Sequence, residues 1–260
     1  MKVRTAFPVI SFSVIMSLCL WSGCARAHFG VILPSEDIVE ADASREIVVS
    51  CQFMHPFTQE FMEMAKPRAF GVAILGEHKD LSGSLRPKSM GGHTVWEAVV
   101  PVNRPGDHVF SAVPEPYWEP AEQKFIQHIM KVVVNAFGRE EGWGDPAGLR
   151  AEIVPLTRPY GLWTGNIFTG RVLFEGKPIP DIPVEVEYYN DGKRLQTPCS
   201  PCETQVVMTD ADGCFSFAMP KAGWWGFAAL IDAPEKIANN GKEYPLELGA
   251  VIWVRTRDVI

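Results

Sequence analysis

Beyond residue 28, apolar and polar residues alternate in short stretches that recur at roughly ten-residue spacing. Between Ile47 and Phe53 every second residue is apolar, and residues 69–75, 94–100 and 108–113 follow the same pattern. A period of two places one side of the chain against a core, as in a β-strand. Residues 124–134 fit a helix or a strand, but their run of three consecutive valines favours a strand.

A second group of such segments begins near Gly161. A strand ends at the tight turn Gly176-Lys177-Pro178, and a second strand follows over residues 184–189. Asp212-Gly213 then forms a hairpin turn, after which aromatic residues alternate with polar ones. Strands and turns in this order are typical of a β-sandwich.

The two groups predict an all-β protein of two consecutive β-sandwich units, immunoglobulin-like or transthyretin-like, over residues 28–160 and 161–260. The second unit resembles carboxypeptidase-regulatory or transthyretin-like domains, whose signature is G-x-V, then G-x-P, then T-D-x-x-G-x-F. Here these motifs are Gly170-Arg171-Val172, Gly176-Lys177-Pro178 and the heptapeptide that begins at Thr209. Modules of this kind usually carry no chemistry, so the resemblance implies a bracing or docking role.

The first 27 residues read as an export signal. Lys2 and Arg4 precede a nearly continuous apolar stretch over residues 6–22, and Ala25-Arg26-Ala27 supplies the small-x-small pattern of a cleavage site. The apolar stretch is short for a membrane span, which disfavours an uncleaved anchor. A lipid anchor at Cys24 is the other alternative, but Trp21 fits poorly at the first position of a lipobox. We therefore expect a periplasmic protein that begins at His28.

Cleavage changes the composition. The full chain carries 24 basic and 31 acidic residues, and the signal removes three basic ones, so 21 remain and the net charge becomes −10. This acidic balance argues against a nucleic-acid partner. The apolar fraction of 47% is enough for one large or two small cores.

His28 is the strongest candidate for chemistry. A chain that begins with histidine offers an amino nitrogen and an imidazole on one residue, and the two can chelate one metal ion. Imidazole suits nickel, copper, zinc and iron. The alternative is that signal cleavage leaves a histidine first by accident. Phe29, Val31 and Leu33 alternate as a strand that would fix this terminus.

The other histidines all precede residue 129. His55 follows a strand and is held by Pro56, His93 follows two glycines, and His128 falls on the apolar face of its predicted strand. We expect the metal ligands His28, His55 and His93, with His128 either a further ligand or a core histidine. His78 and His108 lie in polar turns, where we expect them to be solvated.

Tyr117-Trp118-Glu119-Pro120 places aromatic rings beside an acid, as an ordered loop or as the wall of a metal pocket. No helix-borne zinc-protease motif, nucleophile elbow or nucleotide-binding loop occurs. The sequence therefore lacks the motifs of these three classes of site.

After cleavage four cysteines remain. Cys199 and Cys202 form a C-x-x-C, which in an exported protein predicts a disulfide, either between these two or to Cys214. Cys51 lies on the apolar face of its strand, where we expect a buried thiol.

Over most of its length after residue 27, the chain resembles the additional periplasmic component of bacterial energy-coupling-factor-type nickel/cobalt uptake transporters. The resemblance implies nickel or cobalt delivery to the membrane components of such a transporter, with contact to the membrane only through that partner. It implies a binding protein and not an enzyme. It matches His28 to the first residue of the mature family members and His128 to a histidine after their aromatic loop. The stretches that carry it are His28–Gly30, Lys66–Val72, Pro114–Phe125, Lys131–Gly138, Pro155–Gly161, Val184–Asn190, Gly223–Leu230 and Leu248–Val254.

Two other functions compete with nickel or cobalt binding. The first is a copper-dependent oxidase of the histidine-brace type, in which an N-terminal histidine binds copper. No substrate-binding motif accompanies the histidine here. A metal-free adhesion or scaffold module is the third possibility, and the transthyretin-like half supports it best.

Overall fold

The computed structural model describes residues 28–259. The predicted signal peptide over residues 1–27 and the alternative anchor at Cys24 lie outside this range. None of the helices within it has the length and apolar character needed to cross a bilayer.

The first half of the described chain consists of strands, joined by turns and one short 3-10 helix at Ser82–Ser84. The four strands predicted from alternation between residues 47 and 113 are all present, and the valine-rich stretch is also a strand. In chain order the strands are β1 (Phe29–Pro34), β2 (Ile38–Val39), β3 (Glu46–His55), β4 (Glu60–Met62), β5 (Ala69–Ile74), β6 (Glu77–Asp80), β7 (Arg86–Met90), β8 (His93–Pro101), β9 (Gly106–Val113), β10 (Tyr117–Glu119), β11 (Lys124–Ala136) and β12 (Ala151–Pro155).

The second half is also built from strands, with 3-10 helices at Asp191–Lys193 and Ser200–Cys202. The all-β prediction is therefore confirmed. Two strands of this half are much longer than the others and form one hairpin. In chain order the strands are β13 (Leu162–Trp163), β14 (Ile167–Phe174), β15 (Lys177–Pro178), β16 (Pro183–Tyr188), β17 (Thr204–Met208), β18 (Cys214–Ala218), β19 (Gly223–Asn239) and β20 (Lys242–Arg257).

The strands form three sheets. A five-stranded sheet has the order β1-β3-β8-β7, with β4 beside β3. A four-stranded sheet has the order β12-β14-β15, with β18 beside β14. The third sheet has eleven strands along the order β17-β16-β19-β20-β11-β9-β5-β6, with three short strands beside β11 and β20.

The eleven-stranded sheet contains strands from both predicted units. Its centre is a parallel pair, β11 with β20, in which Phe125 lies opposite Leu246 and Val132 opposite Trp253. The boundary predicted near residue 160 stays a prediction, but the two halves of the chain meet in one continuous sheet.

Each face of this sheet packs on its own core. Val251 and Trp253 of β20 pack with Phe29 and Met130 in a first core, which the five-stranded sheet covers. Ala250 and Ile252 alternate with them and join a second core beneath the four-stranded sheet. A strand that is buried on both faces is a continuous apolar run, which explains the Leu248–Val254 sequence LGAVIWV.

Candidate metal centre

His28 lies directly beside His55 at the start of β1. Antiparallel pairing of β1 with β3 sets Phe29 opposite Met54, so the next residue outward on each strand is a histidine. The centroids of the two imidazole rings are 4.7 Å apart. The ring of His28 also stacks on Phe53 at a centroid distance of 5.8 Å. Two of the predicted ligands are thus neighbours.

The β10 segment forms the opposite wall of the site. Glu119 is buried, and its Oε2 lies 3.3 Å from Nε2 of His28. Its Oε1 accepts a hydrogen bond from the Ala121 N–H at 2.9 Å, which fixes the carboxylate. The Tyr117 ring lies 6.0 Å from that of His28. The segment predicted as a loop or a pocket wall is therefore a short strand that contacts the candidate metal-binding histidine.

The surroundings of His28 favour its neutral form. Burial lowers the pKa of its imidazole, the neighbouring His55 lowers it further, and Glu119 and Glu122 act in the opposite direction. A neutral imidazole keeps a lone pair for a metal ion, whereas an imidazolium has none.

His128 lies behind this pair and is buried. Its Nδ1 accepts a hydrogen bond from the Gly30 N–H at 3.1 Å, and burial lowers the pKa of the ring to about 3. A neutral ring with an accepting Nδ1 carries its proton on Nε2, and that atom has no hydrogen-bond partner. Neither nitrogen of this tautomer has a lone pair free for a metal. A ligand role for His128 stays a prediction, and the geometry favours a role in positioning Gly30 and β1.

His93 is in a different hairpin. It opens β8, opposite Met90 of β7, and it is partly buried. It interacts electrostatically with Glu63, whose carboxylate accepts a hydrogen bond from the Thr94 N–H at 2.9 Å. Hydrogen bonds from Thr94, and to a smaller degree the nearby His93, lower the pKa of Glu63. His93 as a metal ligand stays a prediction.

Within residues 28–259, no group of three or more His, Cys, Asp or Glu side chains is placed to hold a metal ion. The pair His28 and His55 supplies two imidazoles, with the Glu119 carboxylate next to them. A third nitrogen would come from the backbone if the chain is cleaved after Ala27, as predicted, because cleavage would convert the His28 peptide nitrogen into an amine. The donor set then fits a nitrogen-rich transition-metal site.

One histidine expectation was wrong. His78 is exposed as expected, but His108 is 2% exposed. Its Nδ1 lies 3.1 Å from the Gly106 carbonyl oxygen, which can only accept, so this nitrogen donates. Because that hydrogen bond satisfies Nδ1, the His108 ring can be buried. It stacks on the Phe110 ring at a centroid distance of 6.4 Å.

Two contacts between distant residues lie next to the site and were not predicted from the sequence. Lys124 Nζ lies 2.6 Å from a carboxylate oxygen of Glu122 and of Glu247. Glu187 on β16 accepts a hydrogen bond from the Phe57 N–H at 3.2 Å, and so ties the loop after His55 to the second half of the chain. Spacing in the sequence gives no sign of the Lys124–Glu247 or the Phe57–Glu187 contact, because the partners in each are more than a hundred residues apart.

The cysteines fall into two classes. Cys51 is fully buried, as predicted, and burial raises the pKa of its thiol to about 12. Cys199 and Cys202 are at the surface with their Sγ atoms 2.8 Å apart. Cys214 accepts a hydrogen bond from Nε of Arg171 at 3.4 Å, so its sulfur has another partner. The disulfide stays a prediction.

One protein family matches the chain, over residues 25–233, and its description is "Domain of unknown function (DUF4198)". No curated protein matches the chain.

Three similar solved structures share 11–12% identity with it. The Yersinia pseudotuberculosis adhesin InvE is 12% identical, with 85% of this chain and 58% of the adhesin covered and a TM-score of 0.24. A Parabacteroides merdae β-glucuronidase is 11% identical, with 88% and 25% covered and a TM-score of 0.23. A titin Ig tandem is 12% identical, with 87% and 98% covered and a TM-score of 0.20. The chain thus spans little more than half of the adhesin and a quarter of the glucuronidase, and such low TM-scores carry no functional argument.

Proposed function

We propose that this chain, which belongs to the DUF4198 family, is a periplasmic nickel- or cobalt-binding protein. It would support uptake of the metal by a membrane transporter. The observation that carries the proposal is the contact of His28 with His55, at a ring-centroid distance of 4.7 Å, beside the buried Glu119 carboxylate. The amino group of a chain that begins at His28 completes the set of nitrogen donors. The metal ion is cargo here, bound and passed on.

Two features of the site suit a cargo-binding role. The centre combines nitrogen donors, which are intermediate between hard and soft ligands, with one carboxylate. Nickel and cobalt both bind ligands of these two kinds. His28 is only partly buried, so a metal ion can enter and leave without unfolding of the site. The second half of the chain would brace the site through the shared sheet or present the loaded protein to the transporter.

The test is a calorimetric nickel titration of secreted protein whose mass shows that it begins at His28. We expect about one equivalent bound at micromolar affinity or better. The matched control is the same chain with Ala27 retained, which keeps every side chain but turns the His28 amine into a peptide nitrogen. This one residue should weaken nickel binding by roughly 10–100-fold, the range for loss of a supporting group at a metal site. Equal affinities for the two chains would refute a ligand role for the amino terminus.

Copper binding by the same three nitrogens is the second candidate. Copper binds such a site more tightly than nickel whatever the biological cargo, so affinity alone does not separate the two. An oxidase predicts turnover of oxygen or peroxide by the copper-loaded protein. A copper complex without turnover supports the carrier, whereas measurable turnover that is lost in the Ala27-retaining chain supports the oxidase.

A metal-free scaffold is the third candidate. It predicts heats no larger than those of dilution for nickel, cobalt and copper alike. Such a result, with the mass and circular dichroism of the folded chain unchanged, would replace the carrier with an adhesion or docking module.

A further inference from the structure

The path through the eleven-stranded sheet ends in two edge strands of very different composition. β6 lies at one end, and its four residues, Glu77–Asp80, are all exposed and all acidic, basic or histidine. β17 lies at the other end and contains no charged residue. Charged side chains on an edge strand prevent it from pairing with the edge of another molecule. β6 is protected in this way, whereas β17 is not.

The backbone of β17 has one row of hydrogen-bonding groups that faces away from β16. Thr209, which directly follows the strand, donates its N–H to the Ile182 carbonyl oxygen at 3.0 Å and accepts from the Asp181 N–H at 3.2 Å, so its backbone faces β16. Backbone groups alternate sides along a strand, so the N–H and C=O groups of residues 204, 206 and 208 point outward. Among the residues that the structure describes, none hydrogen-bonds to this outer row.

The side chains at this edge add apolar surface. Val206 and Met208 are each 56% exposed, and because they are two residues apart they lie on the same face of the strand. A strand that pairs with β17 would therefore satisfy the outer row and also remove apolar surface from water.

A second copy of the chain supplies a free strand that matches this edge. Antiparallel pairing of two β17 strands about Val206 sets the two Val206 residues opposite each other and Thr204 opposite Met208, so every group of the outer row has a partner. The nearest acids along the chain, Glu203 and Asp210, then lie opposite uncharged residues, so no like charges face each other in the ladder. The contact is symmetric, as in most homodimers.

We infer that two copies of this chain associate through antiparallel pairing of their β17 strands, which joins the two eleven-stranded sheets into one. Five residues on each side bury less than the roughly 1,000 Å² of a stable interface, so the dimer is weak and forms at high protein concentration. The pairing requires no metal ion and stands independently of the proposed transport function.

The test is sedimentation equilibrium of the metal-free secreted chain between about 10 and 500 μM, in about 0.15 M salt to screen the acidic net charge. We expect a reversible equilibrium between monomer and dimer. Val206→Lys gives β17 a charge of the kind that protects β6, and it should keep the chain monomeric. Val99→Lys is the matched control, because Val99 is a valine of similar exposure, 60%, on β8, and this variant should dimerise like the wild type.

Amide hydrogen exchange shows whether the dimer uses this edge. Where about nine chains in ten are dimeric, the outer amides of Thr204, Val206 and Met208 should exchange roughly tenfold more slowly than in dilute solution, because only the monomer exposes them. The inner amides of Gln205 and Val207 already face β16 and should not change. A chain that stays monomeric, as expected if the edge accepts a strand of another protein, would overturn the inference. A dimer that persists in Val206→Lys, or that leaves the outer amides unprotected, would do so as well.

Discussion

Gly249 leaves the space that the His128 imidazole occupies. A Cβ atom built on Gly249 would lie 2.3 Å from Cδ2 of His128 and 2.7 Å from its Nε2. The two residues face each other across the parallel pair β11 and β20. A residue near the end of the chain therefore determines whether a histidine behind the candidate metal site can adopt its position.

Gly249→Ala tests this dependence. We expect a loss of stability of roughly 1–3 kcal/mol, as for an added methyl group in a packed core, because the buried imidazole has no room to move aside. Urea denaturation measures it. The matched control is Gly83→Ala, where an added Cβ meets nothing within 4 Å and the backbone has no positive φ. A Gly249 variant as stable as the control would mean that the His128 ring repacks freely.

The assignment of the metal ligands makes a second prediction. His55 touches His28, whereas His93 opens β8 next to Glu63. His55→Ala should weaken nickel binding by at least roughly tenfold, the scale for lost metal-site groups. The sequence predicts His93 as a third ligand, but its position beside Glu63 in another hairpin leads us to expect that His93→Ala changes nickel binding by less than threefold, about as little as the exposed control His78→Ala. A larger effect at His93 than at His55 would mean that the β7–β8 hairpin brings His93 to the metal ion as a ligand.

The pH dependence of stability gives a third prediction. Burial raises the pKa of Glu187 from its ordinary value of 4.5 to about 8. At neutral pH the native side chain holds its proton and the unfolded chain does not. The stability that protonated Glu187 contributes to the native state is therefore complete below pH 4.5 and is lost as the pH rises through about 8. Over this range the free energy of unfolding falls by up to about 1.4 kcal/mol per pH unit. Glu187→Gln should flatten this decline.

The control for that measurement is Glu243→Gln, an exposed acid on β20. Urea midpoints at pH 5, 6, 7 and 8 should give parallel curves for the wild type and the control. A Glu187 variant whose curve also runs parallel to the wild type would show that Glu187 is ionised in the native protein.

The buried ion pair of Lys131 and Glu152 makes a fourth prediction. Nζ of Lys131 lies 2.5 Å from Oε1 of Glu152, and both side chains are at most 2% exposed. Glu152 also accepts hydrogen bonds from the Ala147 and Leu149 N–H groups. Lys131→Met should cost about 3–5 kcal/mol, since it leaves a carboxylate buried without its cation. Lys88→Met breaks the exposed pair with Glu97 and should cost less than about 1 kcal/mol, both measured by urea denaturation.

A fifth prediction concerns the surface cysteines. Alkylation of secreted, unreduced protein should modify Cys214 and leave Cys199 and Cys202 blocked as a disulfide, with a mass two units below that of the reduced chain. Cys51 should stay unmodified until the protein unfolds, because its thiol is buried and its pKa is about 12. Alkylation of all three surface cysteines before reduction would argue for free thiols.

The strands were predictable because alternation is a local property. The strand at residues 46–55 and the valine-rich β11 have most of their residues buried, and both were identified from side-chain type alone. The aromatic segment at Tyr117 was identified as a possible pocket wall for the same reason. The burial of residue types that strongly prefer one environment can be predicted without knowledge of their neighbours in the fold.

Pairing between distant strands could not be predicted in this way. Nothing local states that residues 125–132 pair with residues 246–253, although the uninterrupted apolar run at Leu248–Val254 already indicates a strand buried on both faces. The contact of His28 with His55 follows from the register of β1 on β3, and a shift of one residue would separate the rings. His108 was misjudged because a single backbone carbonyl satisfies the ring nitrogen that would otherwise need water.

The parallel pair of β11 and β20 also governs the order in which the protein can assemble. Trp253 donates from Nε1 to the Gly30 carbonyl oxygen at 3.0 Å, so β20 reaches the backbone of β1 as well. During synthesis the early strands emerge long before β20, and closure of a loop of more than a hundred residues is a slow step. The position of β1, and with it the histidine site beside β1, therefore depends on a strand that is synthesised more than two hundred residues later, so a correctly formed site indicates that β20 has folded.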